Sequence, residues 1–320
     1  MSNKSEKISF VFPVYNEEGN LELLYQQVKE ACGQADVDYE MIFVDNGGDD
    51  TSLDIIKRLR QRDGRVIYIS LSRNFGHQNA LFAGMSYCTG AAVITMDADL
   101  QHPPSLIPKM IDLWRRGTEV VYTTKKNANL GFVKHFVIKS FYGIISRMSG
   151  LQLNFGQSDF RLIDKKVLKV IMGIPEYHKF LRGQVKWVGF KQENISYDVE
   201  KRYSGKSKFS YGNLFSFALD GIFAFSRYPL HLLTLIGIAI SCASFLYIFL
   251  VFLIYTLNIL RIPHSLPMPP GWATLTVAIL FLGNMQLVAI GVLGEYIGRI
   301  YDQTKGRPVF IIREMSAAEE

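Results

Sequence analysis

The sequence predicts an α/β domain, a mostly parallel sheet wrapped by helices, followed by a two-helix membrane hairpin. Three observations carry that prediction. Short apolar runs alternate with helical patterns from Ile8 to Thr123, acids, amides and glycines gather where those runs end, and charge vanishes from two long windows near the C-terminus.

The β-rich runs are Ile8–Val14, Glu40–Asp45, Val66–Leu71, Ala92–Asp97 and Glu119–Thr123. Helical patterns fill the gaps at Glu17–Cys32, Ser52–Arg62, His77–Tyr87 and Pro104–Arg116. Thr51 or Ser52 can cap the second helix, and Pro103–Pro104 suits a helix start. Strands alternating with helices of this length imply parallel pairing, and such sheets bind ligands beyond the carboxyl ends of their strands. That rule singles out Pro13–Glu17, Asp45–Thr51, Ser72–Gly76 and Asp97–Gln101. Asp97, Asp99 and Gln101 set oxygen-bearing side chains at alternate positions, which suits Mg²⁺ or Mn²⁺ held through a diphosphate. Acids at strand ends also form ordinary turns, so the spacing alone leaves both readings open. No Gly-x-x-x-x-Gly-Lys-Ser/Thr loop is present and no Gly-x-Gly-x-x-Gly follows the first strand, which disfavours ATPase and dehydrogenase chemistry.

The 320 residues carry a net charge of +6, with 20% charged and 48% hydrophobic residues, and the mean hydropathy is +0.11. Cys32, Cys88 and Cys242 are widely spaced, which excludes a disulfide scaffold and a thiolate zinc site. The six His show no metal-ligand spacing; His102 reads as support for the Asp97–Gln101 site and the others as structural. Between Arg227 and Arg261, and again between Arg261 and Glu295, lie 33 residues without Asp, Glu, Lys or Arg. Each window exceeds the roughly 20 residues that cross a bilayer core.

The expected organisation is therefore a domain over 1–206, interfacial helices over 207–227, a hairpin over 228–298 with spans at about 230–257 and 272–296, and a cytoplasmic tail over 299–320. A helix packed on the domain's own core accounts equally well for 207–227. Arg202, Lys206, Lys208 and Arg227 precede the hairpin, and Arg299, Lys305, Arg307 and Arg313 follow it. By the positive-inside rule the domain and both termini are cytoplasmic, at the plasma (inner) membrane, with the proline-rich loop outside. Met1–Lys7 is polar and reads as no cleavable signal. Glu295 is expected to pair with Arg299 at the interface. Gly237, Ser241, Ser244, Gly283, Gly291 and Gly294 permit close helix contacts and a homo-oligomer, a tetramer or dimer. Residues 1–227 hold 30 of the Lys+Arg and 24 of the Asp+Glu, so the whole surplus belongs to them. That surplus suits an anionic leaflet and anionic substrates rather than a nucleic acid polymer.

Taken together, FPVYNEE (Phe12–Glu18), VDNGGDDT (Val44–Thr51), LSRNFGHQNA (Leu71–Ala80), MDADLQHPP (Met96–Pro104) and SDFRLID (Ser158–Asp164) resemble the family 2 inverting glycosyltransferases, which have a GT-A, Rossmann-like fold. Within that family the match is to the polyprenyl-phosphate glycosyltransferases, including dolichol-phosphate mannose synthases. FLRG (Phe180–Gly183), WVGF (Trp187–Phe190), GKSKFS (Gly205–Ser210) and GEYIGRIY (Gly294–Tyr301) are similar to the bacterial branch, the bactoprenol glucosyltransferases of O-antigen modification. The resemblance covers nearly the whole chain.

It implies a sugar-nucleotide donor, UDP-glucose first, with GDP-mannose or a UDP-N-acetylaminosugar as alternatives, and a polyprenyl phosphate acceptor such as undecaprenyl phosphate. Pro13, Tyr15, Glu17, Asp45 and Asp97 would hold the nucleotide, and Asp97, Asp99 and Gln101 the metal. Arg73, Asn74 and Gly76 would shape the pocket floor. Asp159, Arg161 and the segment around Arg182 would line the acceptor side, and Asp97, Asp99 and Asp159 would be catalytic. Asp159 would act as base or position the acceptor; a plain ion pair with Arg161 is the simpler reading. Lys125, Lys134, Lys139, Arg202, Lys206 and Lys208 join Arg161 as candidate cations for the acceptor phosphate, since two anionic substrates must meet. One position departs from the pattern: Asn46 stands where the family usually has Asp. Two spans and the lack of Gln-x-x-Arg-Trp disfavour a processive polysaccharide synthase. The intact Asp97/Asp99/Gln101 trio argues against a non-catalytic membrane scaffold.

Overall fold

The first strand, β1 (Lys7–Val14), is apolar at almost every position because both its faces are buried. The computed structural model describes residues 6–126, 157–198, 228–259 and 271–316. The sheet domain, rejoined by the residues from Gly306 on, forms one compact unit, and a helical unit ending at Lys305 forms the other.

In the first unit, α1 (Leu21–Ala35), β2 (Asp38–Asp45), α2 (Ser52–Arg62), β3 (Val66–Leu71), α3 (His77–Met85), β4 (Ala92–Thr95), α4 (Ile107–Arg115, preceded by a 3-10 turn at Pro104–Leu106) and β5 (Val120–Lys126) follow the expected order. Then come β6 (Gln157–Asp164), α5 (Lys165–Met172), α6 (Leu181–Trp187), β7 (Gln192–Asp198) and, after the helical unit, β8 (Ile312–Met315). The eight strands make one sheet, ordered β7-β5-β6-β4-β1-β2-β3-β8. β1 pairs in parallel with β2 and β4, β2 with β3, and β5 with β7; β6 and β8 run antiparallel to their neighbours. The chain winds outward from β1 through β2 to β3 and then returns to β4 on the other side of β1. The carboxyl ends of β1 and β4 therefore flank a topological switch point, where such sheets form their binding crevice.

Alternation along β1 sorts the core. Ile8, Phe10, Phe12 and Val14 meet α1, α2 and α4 on one face, while Val11 joins Ile42, Val44 and Ile69 under α3 on the other, where α5 and α6 also pack. Pro13 sits in this central strand without cost because the β4 pairing ends at Val11↔Thr95 and its missing N–H faces no ladder partner there. Gly84 lets α3 lie close to the sheet: an added Cβ would come within 2.4 Å of Val11 Cγ1 and 2.9 Å of Val44 Cγ2. Gly84→Ala is expected to destabilise the domain by about 1–3 kcal/mol through overpacking, read as a lower urea midpoint at unchanged slope.

Two features differ from the sequence expectation. Residues 299–320 are not simply a tail, because Ile312–Met315 add an edge strand to β3. The α2 cap comes from neither Thr51 nor Ser52: Asp50 Oδ1 accepts the Ser52 amide, and Thr51 donates to Glu18. The interfacial segment 207–227 and the loop of Pro263, Pro267, Pro269 and Pro270 lie outside the described residues.

The helical unit contains α7 (Tyr228–Ile259) and α8 (Gly271–Thr304). Leu235, Phe245 and Phe252 of α7 and Leu275, Ile279, Leu287 and Ile290 of α8 are exposed. Among the described residues one stretch, Phe281–Thr304, is long and apolar enough to cross a membrane, and Leu232–Tyr247 is a shorter apolar stretch. The qualifying stretch runs further toward the C-terminus than the 272–296 expected. Glu295 and Arg299 pair at 3.0 Å one helical turn apart, as expected of them.

Candidate active site

The loops after β1, β2, β3 and β4 converge at the switch point, and β6 joins them because it runs antiparallel to β4. Thr95 is in register with Arg161, so Asp159 lies beyond the end of β4, beside the loop that starts at Met96. Helices α3 and α6 begin here with His77 and Leu181, which brings side chains from four distant segments together.

Asp159 is the hub. It is 6% exposed, and Arg182 donates to it from both Nε and Nη2 at 2.8 Å. Arg161 Nη2 lies at 3.4 Å and Gln78 Nε2 at 3.4 Å. Gln78 also accepts the Leu181 amide at 3.1 Å, tying α3 to the start of α6. Burial works against the charged form of Asp159, but the Arg182 and Arg161 guanidinium groups more than offset it and hold the carboxyl far below the usual range. A carboxylate so firmly ionised is a poor proton acceptor and a good anchor. The simpler reading of an ion pair with Arg161 finds only a long contact; the bidentate partner is Arg182.

Arg161 has no exposed surface, and burial pushes its guanidinium down to about 10, despite Asp159 beside it. One arm donates to the Ser158 carbonyl at 2.9 Å, and its Nε and Nη1 have no hydrogen-bond partner among the described residues. Expected among the phosphate-binding cations, it lies fully enclosed beside Asp159.

Asp97 stands between two imidazoles. His77 Nε2 lies 2.7 Å from its Oδ1 and His102 Nε2 lies 3.6 Å from its Oδ2. Burial raises the cost of its charge, yet the charge and hydrogen bond of His77 help keep it well below the ordinary carboxylate range. His102 accepts the Asp97 amide at Nδ1 (3.1 Å) and meets Ser158 Oγ at Nε2 (2.7 Å). That pattern fixes a neutral ring with its proton on Nε2, and burial pushes its pKa down in agreement. His77 therefore carries the offset: burial lowers its pKa, but the neighbouring Asp97 raises it above the ordinary value. With 43% of its side chain exposed, His77 shares that charge with solvent. The sequence reading had placed it among structural histidines; its position one residue after Gly76, at a helix start behind a strand end, was the available signal.

Asp99 is 8% exposed and accepts the Gln101 amide at 3.1 Å, across a turn in which Leu100 adopts φ +59°. Among the described residues no group of three or more His, Cys, Asp and Glu side chains is arranged to hold a metal alone. The hard oxygens of Asp97, Asp99 and Gln101 fit an ion that takes its other ligands from a bound diphosphate, which is how Mg²⁺ is commonly held.

Apart from Asp97, the residues expected at the nucleotide lie at the ends of β1 and β2. Pro13 is buried in β1, and Tyr15 and Glu17 are half-buried just beyond it, Glu17 accepting from Asn20 at 2.7 Å. Asp45 is 4% exposed, and its oxygens accept from the Gly48 amide (3.1 Å) and Ser70 Oγ (2.9 Å). Asn46 explains its departure from the expected Asp. Its Oδ1 accepts the Phe75 amide at 2.9 Å, and its Nδ2 donates to Asn74 Oδ1 at 3.1 Å, an oxygen that also takes the Gly76 amide. Only an amide both accepts and donates in this way. Asn46→Asp is expected to lose the donated bond, set an anion against Asn74 Oδ1 and lower stability by about 1–3 kcal/mol, measurable by denaturant unfolding. Arg73 is exposed with its guanidinium 4.2 Å from the Phe75 ring centre. Lys125, on β5 opposite Tyr197, is close enough to oppose protonation of His102. Lys134, Lys139, Arg202, Lys206 and Lys208 lie outside the described residues.

The chain is similar to known proteins over most of its length. An uncharacterized glycosyltransferase of Synechocystis is 41% identical over 98% of this chain and 96% of its own length. A bactoprenol glucosyl transferase of Shigella phage SfX is 37% identical over 96% of this chain and 99% of its own. A solved glucosyl-3-phosphoglycerate synthase of Mycobacterium tuberculosis matches 68% of this chain and 78% of its own with a TM-score of 0.46 and 16% identity, too remote to bear on the site. The glycosyl transferase family 2 model matches residues 9–172, a span that includes Asp97 and Asp159 but ends before Arg182, and the chain belongs to that family.

Proposed function

We propose that this chain transfers a hexose, glucose from UDP-glucose, to undecaprenyl phosphate or another polyprenyl phosphate at the cytoplasmic leaflet, inverting the anomeric centre. The observation that carries the reading is the meeting of two differently built carboxylates at the switch point, Asp97 beside Asp99 and Asp159 locked by Arg182. The first pair suits a nucleotide diphosphate and the second an anionic acceptor. The phage relative named as a bactoprenol glucosyl transferase supports the same acceptor and sugar.

Mg²⁺ or Mn²⁺, when bound through Asp97, Asp99 and Gln101, would supply positive charge against the negative charge that develops on the leaving diphosphate. The chain's own residues do the rest. Asp45, Tyr15 and Glu17 orient the nucleotide, while Asp159 holds Arg182 in place to receive the acceptor. A phosphomonoester has a second pKa of about 6, so at neutral pH much of it is already a dianion and needs positioning more than deprotonation. Arg182 keeps a quarter of its side chain exposed and can meet that phosphate while Asp159 fixes its direction. The acidic limb of the pH–rate profile is expected near the phosphate's own pKa of about 6, not at a carboxylate. Initial rates from pH 5 to 8 check this.

Chain topology supports a paired crossing. Asp198 ends β7 and Ile312 begins β8 in one sheet, an arrangement that supports an even number of crossings by the segment between them. Helices of 32 and 34 residues are long enough for two crossings, each needing about 20. The basic flanks support a domain on the cytoplasmic side. A panel of labelled UDP-glucose, GDP-mannose and UDP-N-acetylaminosugars with Mg²⁺ or Mn²⁺ and polyprenyl phosphate tests the reading. Label from UDP-glucose should enter the lipid fraction first, and no turnover of any donor would overturn it.

A further inference from the structure

The segment Ser72–His77 carries Arg73, Asn74 and the imidazole that pairs with Asp97, yet it belongs to no strand. It is gripped on both sides. On one, Gly47 lies so close that an added Cβ would stand 2.7 Å from the Arg73 carbonyl carbon, and Asn46 bonds Asn74 and the Phe75 amide. On the other, β8 pairs with β3 through Ile69↔Met315, Ser70↔Glu314 and Leu71↔Ile312 and continues past the strand end. The Ser72 amide donates to the Ile311 carbonyl at 2.9 Å, and Arg313 Nη2 donates to the Ser72 carbonyl at 2.8 Å. Both backbone groups of Ser72, the first residue of the segment, are thus held by residues that follow α8. The rest of β8 is fastened elsewhere: Glu314 pairs with Lys57 on α2 at 2.7 Å, and Ser316 Oγ accepts the Tyr68 amide at 3.1 Å.

We infer that β8 is a strap that sets the position of Ser72–His77, with Arg313 as a positioning residue acting through Ser72. Seven residues separate the end of α8 at Thr304 from Ile312, so the part of the chain that leaves the helical unit returns directly to the site. The domain's donor side is complete only when that return has been made. A strand of four residues at a sheet edge holds weakly by itself. The Arg313 bond beyond the ladder therefore matters more than one bond inside a long pairing. The inference draws on the proposed function only in taking Ser72–His77 as part of the donor site.

The test uses the full chain in detergent or nanodiscs, with Arg313→Ala, Arg313→Lys and Glu314→Gln. Amide hydrogen exchange is followed by mass spectrometry, and binding of UDP by calorimetry. Arg313→Ala should speed exchange in Ser72–His77 about fivefold, the value of one net hydrogen bond, and weaken UDP binding with it. Arg313→Lys should recover part of both. Glu314→Gln, which alters only the half-exposed pair with Lys57 and keeps both bonds to Ser72, should leave Ser72–His77 as in the parent. Unchanged exchange in Arg313→Ala, or an equal rise in Glu314→Gln, would overturn the strap. Failure of the parent to bind UDP would instead count against the proposed function, since the exchange result does not depend on activity.

Discussion

Asp99→Ala is expected to lower sugar transfer by about 10³-fold while the protein stays folded and bound to membranes. The loss follows from the place of Asp99 in the chain. It sits two residues past Asp97 on a turn held by its own bond to the Gln101 amide, 8% exposed, at the switch point of the sheet. Removing it takes one of two adjacent carboxylates from the diphosphate side and loosens the turn that presents Gln101. The fold should survive, because the core around β4 is built from Ala92, Val93, Ile94 and Met96. Losing the turn bond should cost only about 1 kcal/mol. Transfer by Asp99→Ala at the parent rate, over a series of Mg²⁺ and Mn²⁺ concentrations, would remove the metal assignment.

Arg182→Ala is expected to have the second largest effect, on activity and stability together. Asp159 would keep only long contacts, to Arg161 and Gln78 at 3.4 Å. A nearly buried carboxylate stripped of its bidentate partner should cost roughly 3 kcal/mol, and transfer should fall about 10²-fold or more as the acceptor loses its anchor. Arg182→Lys should restore little, because an ammonium cannot make the paired bonds. The acid response gives a separate reading. Asp159 is held below its unfolded value, so its contribution is present above the unfolded carboxylate pKa of about 3.9 and is lost as pH falls through the folded value. With Arg182 gone that depression shrinks, and acid unfolding should begin at higher pH. Circular dichroism from pH 7 to 2 measures the shift.

The strands of the central sheet were legible because they are buried on both faces. Val66–Leu71 has the same limits in the sequence as in the structure, and Ile8–Val14 differs by one residue. The later strands were not assigned, for a physical reason. In β6 the face that carries Asp159 and Arg161 is polar although buried, so Gln157–Asp164 shows neither an apolar run nor a clean alternation. β8 is four residues, two of them charged, and its strand state comes from pairing with β3 across more than 240 positions of sequence. Helix α6 is seven residues and opens on the side chain that anchors Asp159. Short elements fixed by long-range contacts leave little local trace.

The site divides in the same way. Asp45, Asp97 and Asp99 are singled out in the sequence because strand ends in such a sheet are where ligands bind. The pairing of Asp159 with Arg182, 23 residues apart, and of His77 with Asp97, 20 apart, could not. Local spacing favoured Arg161, two residues from Asp159, and the structure gives it the weaker, longer contact. Asn46 shows the reverse: a departure visible in the sequence whose meaning, a brace on Asn74 and Phe75, required the fold.

The most direct measurement is transfer of labelled glucose from UDP-glucose to undecaprenyl phosphate by the full-length protein in Mg²⁺, read by organic extraction. The label should appear in the lipid phase as a single β-linked phosphosugar, and Asp99→Ala should leave it in the aqueous phase. Label that stays aqueous with the parent protein, or enters lipid equally with Asp99→Ala, would contradict the account.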